Sequence, residues 1–310
     1  MPPAARPARV TIVEVGPRDG LQNEPARLDV ATRVAFVEAL AAAGCGVIEV
    51  GAFVHPGRVP QMAGTADVFA ALPPRPGTRF TALVPNDAGL DRALAAGVRE
   101  IAIFAAASET FSRRNINQSI DDSLTQYRQV VRRATAAGVR VRGYLSTCFG
   151  CPYEGDVAMA QVVGLVERLL ALGVFEVAVS DTIGIAHPGQ VERVLDAVRA
   201  RVPASALALH VHDTRGTAVA NVLAALPYGI TTFDAAAGGL GGCPFAPGAG
   251  GNLATEDLLY VLHGLGIETG IDLDALVRAS LGLERLVGHP LPSRYLRAIV
   301  ARGLAAGHGA

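Results

Sequence analysis

Short apolar runs alternate with amphipathic stretches along most of the chain. Eight runs rich in β-branched and other apolar residues predict strands at residues 10–15, 47–50, 80–84, 100–104, 139–145, 176–180, 207–212 and 231–234. Between them, apolar side chains recur with the helical period, most clearly at residues 31–42, 123–137, 157–172, 190–199 and 218–226. Several of these helices are expected to stop at a glycine that adopts positive φ, namely Gly44, Gly97, Gly138 and Gly173.

Eight strands that alternate with helices are typical of a (β/α)8 barrel. An open, doubly wound sheet is the alternative, but it normally carries a glycine-rich fingerprint after its first strand, and the segment 16–20 (GPRDG) is not that fingerprint. We therefore predict the α/β class: a TIM barrel over about residues 8–255 with extra C-terminal helices. The C-terminal extension, about 256–310, reads as further helices at 256–264 and 272–286. No linker composition marks a second domain, so residues 1–310 are expected to form one catalytic domain.

Charge and hydropathy exclude several classes of partner. The 310 residues carry a net charge of −1, which offers no electrostatic reason to expect nucleic acid or an anionic membrane as partner. No run of 18 apolar residues occurs, so a spanning helix is not expected. The N-terminus lacks an apolar signal core, and four cysteines in a chain of this length do not make a disulfide framework. We expect a reduced, cytoplasmic protein.

The chain contains no lysine, because all 27 basic residues are arginine. Schiff-base catalysis by a lysine, pyridoxal phosphate anchoring and the P-loop phosphate clamp all require that side-chain amine. These three chemistries are excluded, apart from any use of the α-amine.

The segment His210-Val211-His212-Asp213 closes an apolar run and is the strongest sign of chemistry. Alternate residues of a strand point the same way, about 6.6 Å apart, so two imidazoles on one face can hold one cation. Imidazole is also a general acid or base near neutral pH. The alternative is a pair of histidines on the polar face of an edge strand.

Polar residues at the ends of other predicted strands extend this site, because active sites of barrel enzymes gather at the carboxyl ends of the strands. Asp19, His210, His212 and Asn252 form a mixed oxygen and nitrogen donor set that suits Mg²⁺ or Mn²⁺ and leaves positions open for substrate. Arg18 adds a fixed cation suited to a developing oxyanion, with a surface salt bridge as the alternative.

Two acidic residues follow the same logic. Glu49 stands in an apolar strand, where an unpaired buried charge is costly, so we expect it to point into the barrel and pair with Arg18. Asp181 ends the sixth strand, and its alternative role is to cap the next helix.

Two cysteine patterns deserve separate interpretations. Cys148 and Cys151 form a C-x-x-C without a second pair at zinc spacing, which favours a structural role over a redox or metal role. Cys243 lies in the glycine-rich loop 238–251, where a thiol can reach substrate if the loop closes as a lid.

Taken together, these segments resemble the 3-hydroxy-3-methylglutaryl-CoA lyase family. The matching stretches run in order over nearly the whole chain, at residues 13–24, 59–62, 106–109, 115–117, 150–155, 181–184, 210–214 and 238–257. The resemblance implies a metal-dependent barrel enzyme, expected as a homodimer, that acts on an acyl-CoA substrate. Its implied reaction is cleavage of a 3-hydroxy-3-methylglutaryl thioester to acetyl-CoA and acetoacetate.

The resemblance also implies a role for each matched position. The implied ligands of the divalent metal are Asp19, His210, His212 and Asn252. Arg18 looks like the group that stabilises the product enolate, and Cys243 like the lid thiol that helps to protonate it. Glu49 and Asp181 look like supporting acids near the metal, and His210 or Asp181 is the candidate base for the C3 hydroxyl.

Two other functions stay open at this point: a lyase or Claisen-type synthase for a different 3-hydroxyacyl-CoA, and an inactive metal-binding barrel. The second predicts damage at the ligand or arginine positions, and none is seen. The first draws on departures from the family's usual residues at Gly51, Ala52, Ala178 and Arg215. They suggest an acyl pocket that accepts a different or larger group.

Overall fold

The computed structural model describes residues 6–242 and 251–303, and its centre is a closed barrel of eight parallel strands. β1 pairs with β2 on one side and with β8 on the other, which closes the sheet and excludes the open doubly wound alternative. All eight predicted strands are present, so the TIM barrel is confirmed. The strands are β1 (Thr11–Glu14), β2 (Val47–Ala52), β3 (Arg79–Leu83), β4 (Glu100–Ala106), β5 (Arg140–Ser146), β6 (Val177–Asp181), β7 (Leu207–Val211) and β8 (Thr232–Ala235).

An outer layer of helices covers the barrel. These helices are α1 (Val30–Ala42), α2 (Thr65–Ala71), α3 (Asp87–Ala95), α4 (Glu109–Ile116), α5 (Ile120–Ala136), α6 (Met159–Leu172), α7 (Pro188–Arg199) and α8 (Ala218–Ala225). No range was predicted for α2, α3 and α4, because a sequence of seven to nine residues repeats the apolar period only about twice. The stop predicted at Gly97 nevertheless marks the end of α3, and the equally short α8 was predicted within 218–226. The predicted glycine stops are confirmed, with φ between 72° and 103° at Gly44, Gly97, Gly138 and Gly173.

Beyond the barrel lie α9 (Thr255–Gly264), α10 (Leu273–Val287) and α11 (Arg294–Ala301). The first two were predicted, and the eight-residue α11 was missed. α10 packs against α1 and α9, so the extension is joined to the first helix of the barrel. Within the described ranges, no helix is both long enough and apolar enough to cross a membrane.

The core lies between the strands and the helices and inside the barrel. β2 and β7 are buried along their whole length, which explains their nearly continuous apolar sequences. Several strands nevertheless carry buried charged residues. Glu49 on β2, Arg142 on β5 and Asp234 on β8 are all less than 5% exposed. These buried charges lie beneath the candidate site.

Candidate active site

A cavity of about 750 Å³ opens at the carboxyl ends of the barrel strands. Its wall combines apolar side chains such as Leu83 and Phe104 with many polar groups. The polar residues on its floor include Arg18, Asp19, Tyr144, Ser180, His210 and His212. A concave site of this size with a few converging polar groups is a suitable binding site for a small molecule.

Asp19, His210 and His212 converge in this cavity. Each offers one potential ligand atom, and these three atoms lie within 4.8 Å of one another. Asp19 stands on a π-helical turn, Gly16–Gly20, that directly follows β1. The two imidazole rings, at the end of β7, have centroids 5.2 Å apart, and Nε2 of His212 is 3.8 Å from Oδ2 of Asp19.

Backbone pairing places Asn252 beside His212. Residues 251–253 run antiparallel to the end of β7, where the Asp213 N–H donates to the Gly251 carbonyl and the Leu253 N–H to the Val211 carbonyl. The Asn252 Nδ2 group donates to the Leu240 carbonyl at 3.1 Å, whereas its buried Oδ1 has no hydrogen-bond partner in the described part of the chain. A buried acceptor without a partner is costly, and a bound cation would satisfy it. One carboxylate, one amide oxygen and two imidazoles therefore fit a divalent ion such as Mg²⁺ or Mn²⁺.

The protonation of these groups also suits a cation. Burial opposes ionisation of Asp19, but Arg18 and the two imidazoles outweigh it and hold the pKa of Asp19 at about 2. Burial, with a smaller contribution from His210, lowers the pKa of His212 to about 4. At neutral pH Asp19 is thus ionised and His212 neutral, the forms that bind a metal ion.

Arg18 lies against the cluster, held by two carboxylates. Its Nε donates to Oε2 of Glu49 at 2.6 Å, and its Nη1 donates to Asp19. The Tyr144 hydroxyl donates to the same Oε2 of Glu49 at 3.3 Å, and the Arg18 guanidinium carbon is 5.4 Å from the Tyr144 ring centroid. The expected pairing of Arg18 with Glu49 is observed, and because Arg18 is buried, the surface salt bridge is excluded.

A second buried ion pair supports His210, and the sequence reasoning missed it. Nδ1 of His210 lies 3.1 Å from Oδ2 of Asp234, whose two oxygens also accept from Nη1 and Nη2 of Arg142. Arg142 donates through Nε to Glu176 at 2.7 Å and contacts the Tyr144 hydroxyl at 3.1 Å. The available signal was a charged residue inside an otherwise apolar strand, as at Glu49, but it does not say which charges meet.

Asp181 has different partners from those expected of a base at the metal. Its carboxylate accepts from the backbone N–H groups of Ile185 at 3.0 Å and Ala186 at 2.9 Å. The cavity is instead lined by its neighbours Ser180 and Thr182. Both oxygens are used to hold the loop before α7, whose N-cap residue is His187, so Asp181 does not cap that helix either.

The cysteines divide between the described and undescribed parts of the chain. Cys243 lies outside the described residues. Cys148 and Cys151 are buried and not bonded to each other. Burial raises the pKa of Cys148 to about 12, its thiol donates to the Leu145 carbonyl, and the Cys151 sulfur lies 3.0 Å from Oγ of Ser108. These contacts agree with a structural role for both.

The residues that depart from the family's usual pattern do not line the described part of the cavity, so an altered acyl pocket stays a prediction. None of Gly51, Ala52, Ala178 and Arg215 is among its described lining residues. A Cβ on Gly51 would point at Arg33 and Thr65, behind the strand. Arg215 donates to the Gly184 carbonyl at 2.8 Å, on the exposed rim.

Comparisons with known proteins agree with one another. The family model described as HMGL-like matches residues 9–281. The 3-hydroxy-3-isohexenylglutaryl-CoA/hydroxy-methylglutaryl-CoA lyase of Pseudomonas aeruginosa is 50% identical over 296 residues, covering 96% of this chain and 99% of that protein. Hydroxymethylglutaryl-CoA lyase YngG of Bacillus subtilis is 49% identical over 291 residues, covering 94% and 97%. The crystal structure of hydroxymethylglutaryl-CoA lyase from Pseudomonas aeruginosa matches with a TM-score of 0.94 at 50% identity, covering 96% of this chain and 99% of that one.

Proposed function

The chain belongs to the HMGL-like family, and on that premise we propose that it is a metal-dependent lyase that cleaves 3-hydroxy-3-methylglutaryl-CoA to acetyl-CoA and acetoacetate. The observation that carries this proposal is the convergence of Asp19, His210 and His212 with the buried Arg18, in a chain about half identical to lyases of that name. An intact cluster also speaks against an inactive barrel.

The reaction requires charge to move in a defined direction. The C3 hydroxyl loses its proton, the bond between C2 and C3 breaks, and its electron pair moves into the thioester carbonyl as an enolate. C3 becomes the ketone carbon of acetoacetate, and protonation of the enolate carbon completes acetyl-CoA. Asp19, His210, His212 and Asn252 would hold a divalent ion, which would supply Lewis-acid chemistry and lower the pKa of the C3 hydroxyl.

His210 is the proposed proton acceptor because Asp234 engages its Nδ1 and leaves Nε2 for the cavity. The Asp234 carboxylate orients the ring and stabilises the imidazolium that forms when the proton is taken. Because Asp234 engages Nδ1, only Nε2 is left for the two proposed roles of His210, and one lone pair can bind either the metal or the proton but not both at once. Asp181, held by backbone N–H groups, is no longer proposed as the base.

Arg18 is the proposed partner of the enolate oxygen. Although burial works against its charge, Asp19 and Glu49 raise the pKa of Arg18 above its ordinary value, so the guanidinium is permanently charged. A fixed cation beside the thioester carbonyl stabilises the enolate more than the neutral substrate. Glu49 holds Arg18 in place. From the family resemblance, Cys243 is proposed to help to protonate the enolate carbon.

A coupled assay for acetyl-CoA tests this function directly. We expect activity with 3-hydroxy-3-methylglutaryl-CoA that is abolished by EDTA and restored by Mg²⁺ or Mn²⁺. Activity that survives complete metal removal would contradict the mechanism. A panel of thioesters with longer C3 substituents tests the substrate, since a higher kcat/KM for one of them would assign the chain to another 3-hydroxyacyl-CoA.

Three further properties belong to the same proposal. We propose that residues 1–310 act as one catalytic unit, that the enzyme is a homodimer, and that it is cytoplasmic. Size exclusion with light scattering gives the molar mass of the protein, and an activity assay on the same fraction shows whether that species is the catalytic unit. A monomer with full activity would contradict the dimer. Cell fractionation measures the third.

A further inference from the structure

A buried carboxylate lies behind the cavity floor, outside the set of groups assigned above. Glu14 is the last residue of β1; its exposed fraction is 0% and it does not line the cavity. Its Oε1 accepts from the backbone N–H of Gly16 at 2.8 Å and of Ala237 at 2.9 Å. Its Oε2 accepts from the Thr255 hydroxyl at 2.7 Å. One side chain thus holds three separate parts of the chain.

Each of the three parts lies close in sequence to a proposed metal ligand or to its hydrogen-bond partner. Gly16 begins the turn that carries Asp19. Ala237 follows β8 and begins the short helical turn Ala237–Gly239, just before Leu240, whose carbonyl accepts from Asn252. Thr255 begins α9, three positions after Asn252. Glu14 therefore connects the segment that delivers Asp19 with the two segments that delimit Asn252.

The surroundings of Glu14 are unusual for a buried acid. No arginine or histidine forms an ion pair with it in the described part of the chain. Burial raises the pKa of Glu14 to about 7, although its three donors partly oppose the shift. A buried carboxyl without a counter-charge costs stability, so an apolar residue here would be the more stable choice for packing alone.

The neighbouring glycine is adapted to this contact. A Cβ on Gly16 would lie 2.6 Å from Oε1 of Glu14, closer than atoms of this kind approach each other. A side chain at position 16 would push the carboxylate away from the turn. The sequence Glu14-Val15-Gly16 therefore provides both the acceptor and the space for the contact.

We propose that Glu14 is a positioning residue of the metal site, which sets the separation of Asp19 and Asn252 by holding Gly16, Ala237 and Thr255 on one carboxyl group. This inference rests on the proposed metal-dependent function. It predicts that Glu14 affects metal affinity even though it touches neither the metal ligands nor the substrate cavity.

The test measures the Kd of Mn²⁺ from the loss of its free-ion EPR signal, without any acyl-CoA, beside the thermal midpoint of each variant. Glu14→Ala is expected to weaken Mn²⁺ binding about tenfold or more, as loss of a residue that orients a metal ligand typically does. Glu14→Gln is expected to bind nearly as the parent, since its amide oxygen accepts both N–H groups and its Nε2 donates to Thr255. Leu169→Ala, in the buried face of α6, is the control that lowers Tm without changing Kd.

Several results would overturn the proposal. Glu14→Ala binding Mn²⁺ as tightly as Leu169→Ala at a similar Tm would show that Glu14 contributes only to stability. If Glu14→Ala does not fold, Thr255→Val removes one of the three contacts and is expected to weaken Mn²⁺ binding by a smaller factor. An unchanged Kd in that variant would overturn the proposal. Failure of the unmodified enzyme to bind Mn²⁺ would instead contradict the proposed function, so the two failures are distinguishable.

Discussion

Nδ1 of His210 lies 3.1 Å from a carboxylate oxygen of Asp234, and Arg142 donates hydrogen bonds to both oxygens of that same carboxylate. Burial alone would favour the protonated acid, but Arg142 and His210 outweigh it and lower the pKa of Asp234. The carboxylate is therefore ionised and accepts a hydrogen bond from Nδ1–H of His210. With the proton on Nδ1, the lone pair of Nε2 is directed into the cavity. The tautomer of His210 is set by a residue 24 positions along the chain.

The first prediction concerns this pair. Asp234→Asn keeps the shape but loses the negative charge that orients His210, so we expect both kcat/KM and Mn²⁺ affinity to fall by about 10- to 100-fold. Glu176→Gln is the matched control, because Glu176 binds Arg142 on its other side and does not contact His210. Equal losses in the two variants would show that the network contributes only to stability.

The second prediction concerns Arg18. Lysine keeps one charge but cannot donate to Glu49, Asp19 and substrate at fixed angles, so Arg18→Lys is expected to lower kcat by about 10²- to 10³-fold. Mn²⁺ affinity should change much less, because the ligands remain. Arg168→Lys, at an exposed ion pair with Asp121, provides the comparison and should leave kcat unchanged. A normal kcat in Arg18→Lys would remove Arg18 from the mechanism.

The third prediction concerns the pH dependence of stability. Glu256 is fully buried, where it accepts from Ser280 and the Gly238 N–H, and burial raises its pKa to about 7 from an ordinary 4.5. Between these values the folded state holds a proton that the unfolded state has released. The stabilisation is complete below pH 4.5 and is lost as the pH rises through 7, by on the order of 3 kcal/mol.

Thermal unfolding followed by circular dichroism from pH 5 to pH 8 measures this effect. Tm should decline less steeply with pH in Glu256→Gln than in the parent, since the amide does not titrate. His212, whose lowered pKa changes stability in the opposite direction, and Glu14, whose pKa burial also raises to about 7, are present in both proteins. The difference between the two profiles therefore reports Glu256 together with its interaction with Glu14. Identical slopes would mean that Glu256 is ionised throughout this range.

The fourth prediction concerns Gly51. A threonine there would place Cβ 2.7 Å from Oγ1 of Thr65 and 2.8 Å from Nη2 of Arg33, which is itself buried. We expect Gly51→Thr to cost about 1–3 kcal/mol through overpacking and to leave the ranking of thioester substrates unchanged. Adding Arg33→Ala should recover part of the loss by making room. A change in substrate ranking would show that this position shapes the acyl pocket.

The sequence by itself determined the fold class and most of the candidate site. Periodicity separated the strands from most helices, so the eight strands were recovered. No range was predicted for the short helices α2, α3, α4 and α11, although the end of α3 was marked at Gly97. Parallel strands of a closed barrel bring their carboxyl ends to one mouth, so Asp19, His210 and His212 were expected to meet. Asn252, 40 residues beyond His212, was added to this set because it follows the glycine-rich loop 238–251 and because the family resemblance implies a ligand there.

Only the tertiary structure decided which buried charges are partners and which way each side chain points. Arg142 and Asp234 are 92 positions apart, and their contact depends on strand register and barrel closure, which no local pattern records. A Cβ at Gly51 would face Arg33 and Thr65, because the strand register shifts between Glu49 and Gly51 and interrupts the regular alternation of faces. Asp181 is directed towards a loop by two backbone N–H groups that the sequence pattern does not reveal. In the sequence, Glu14 is one residue of the matched stretch 13–24, with no role assigned to it. Its importance arises because folding brings Gly16, Ala237 and Thr255 to the same buried carboxylate.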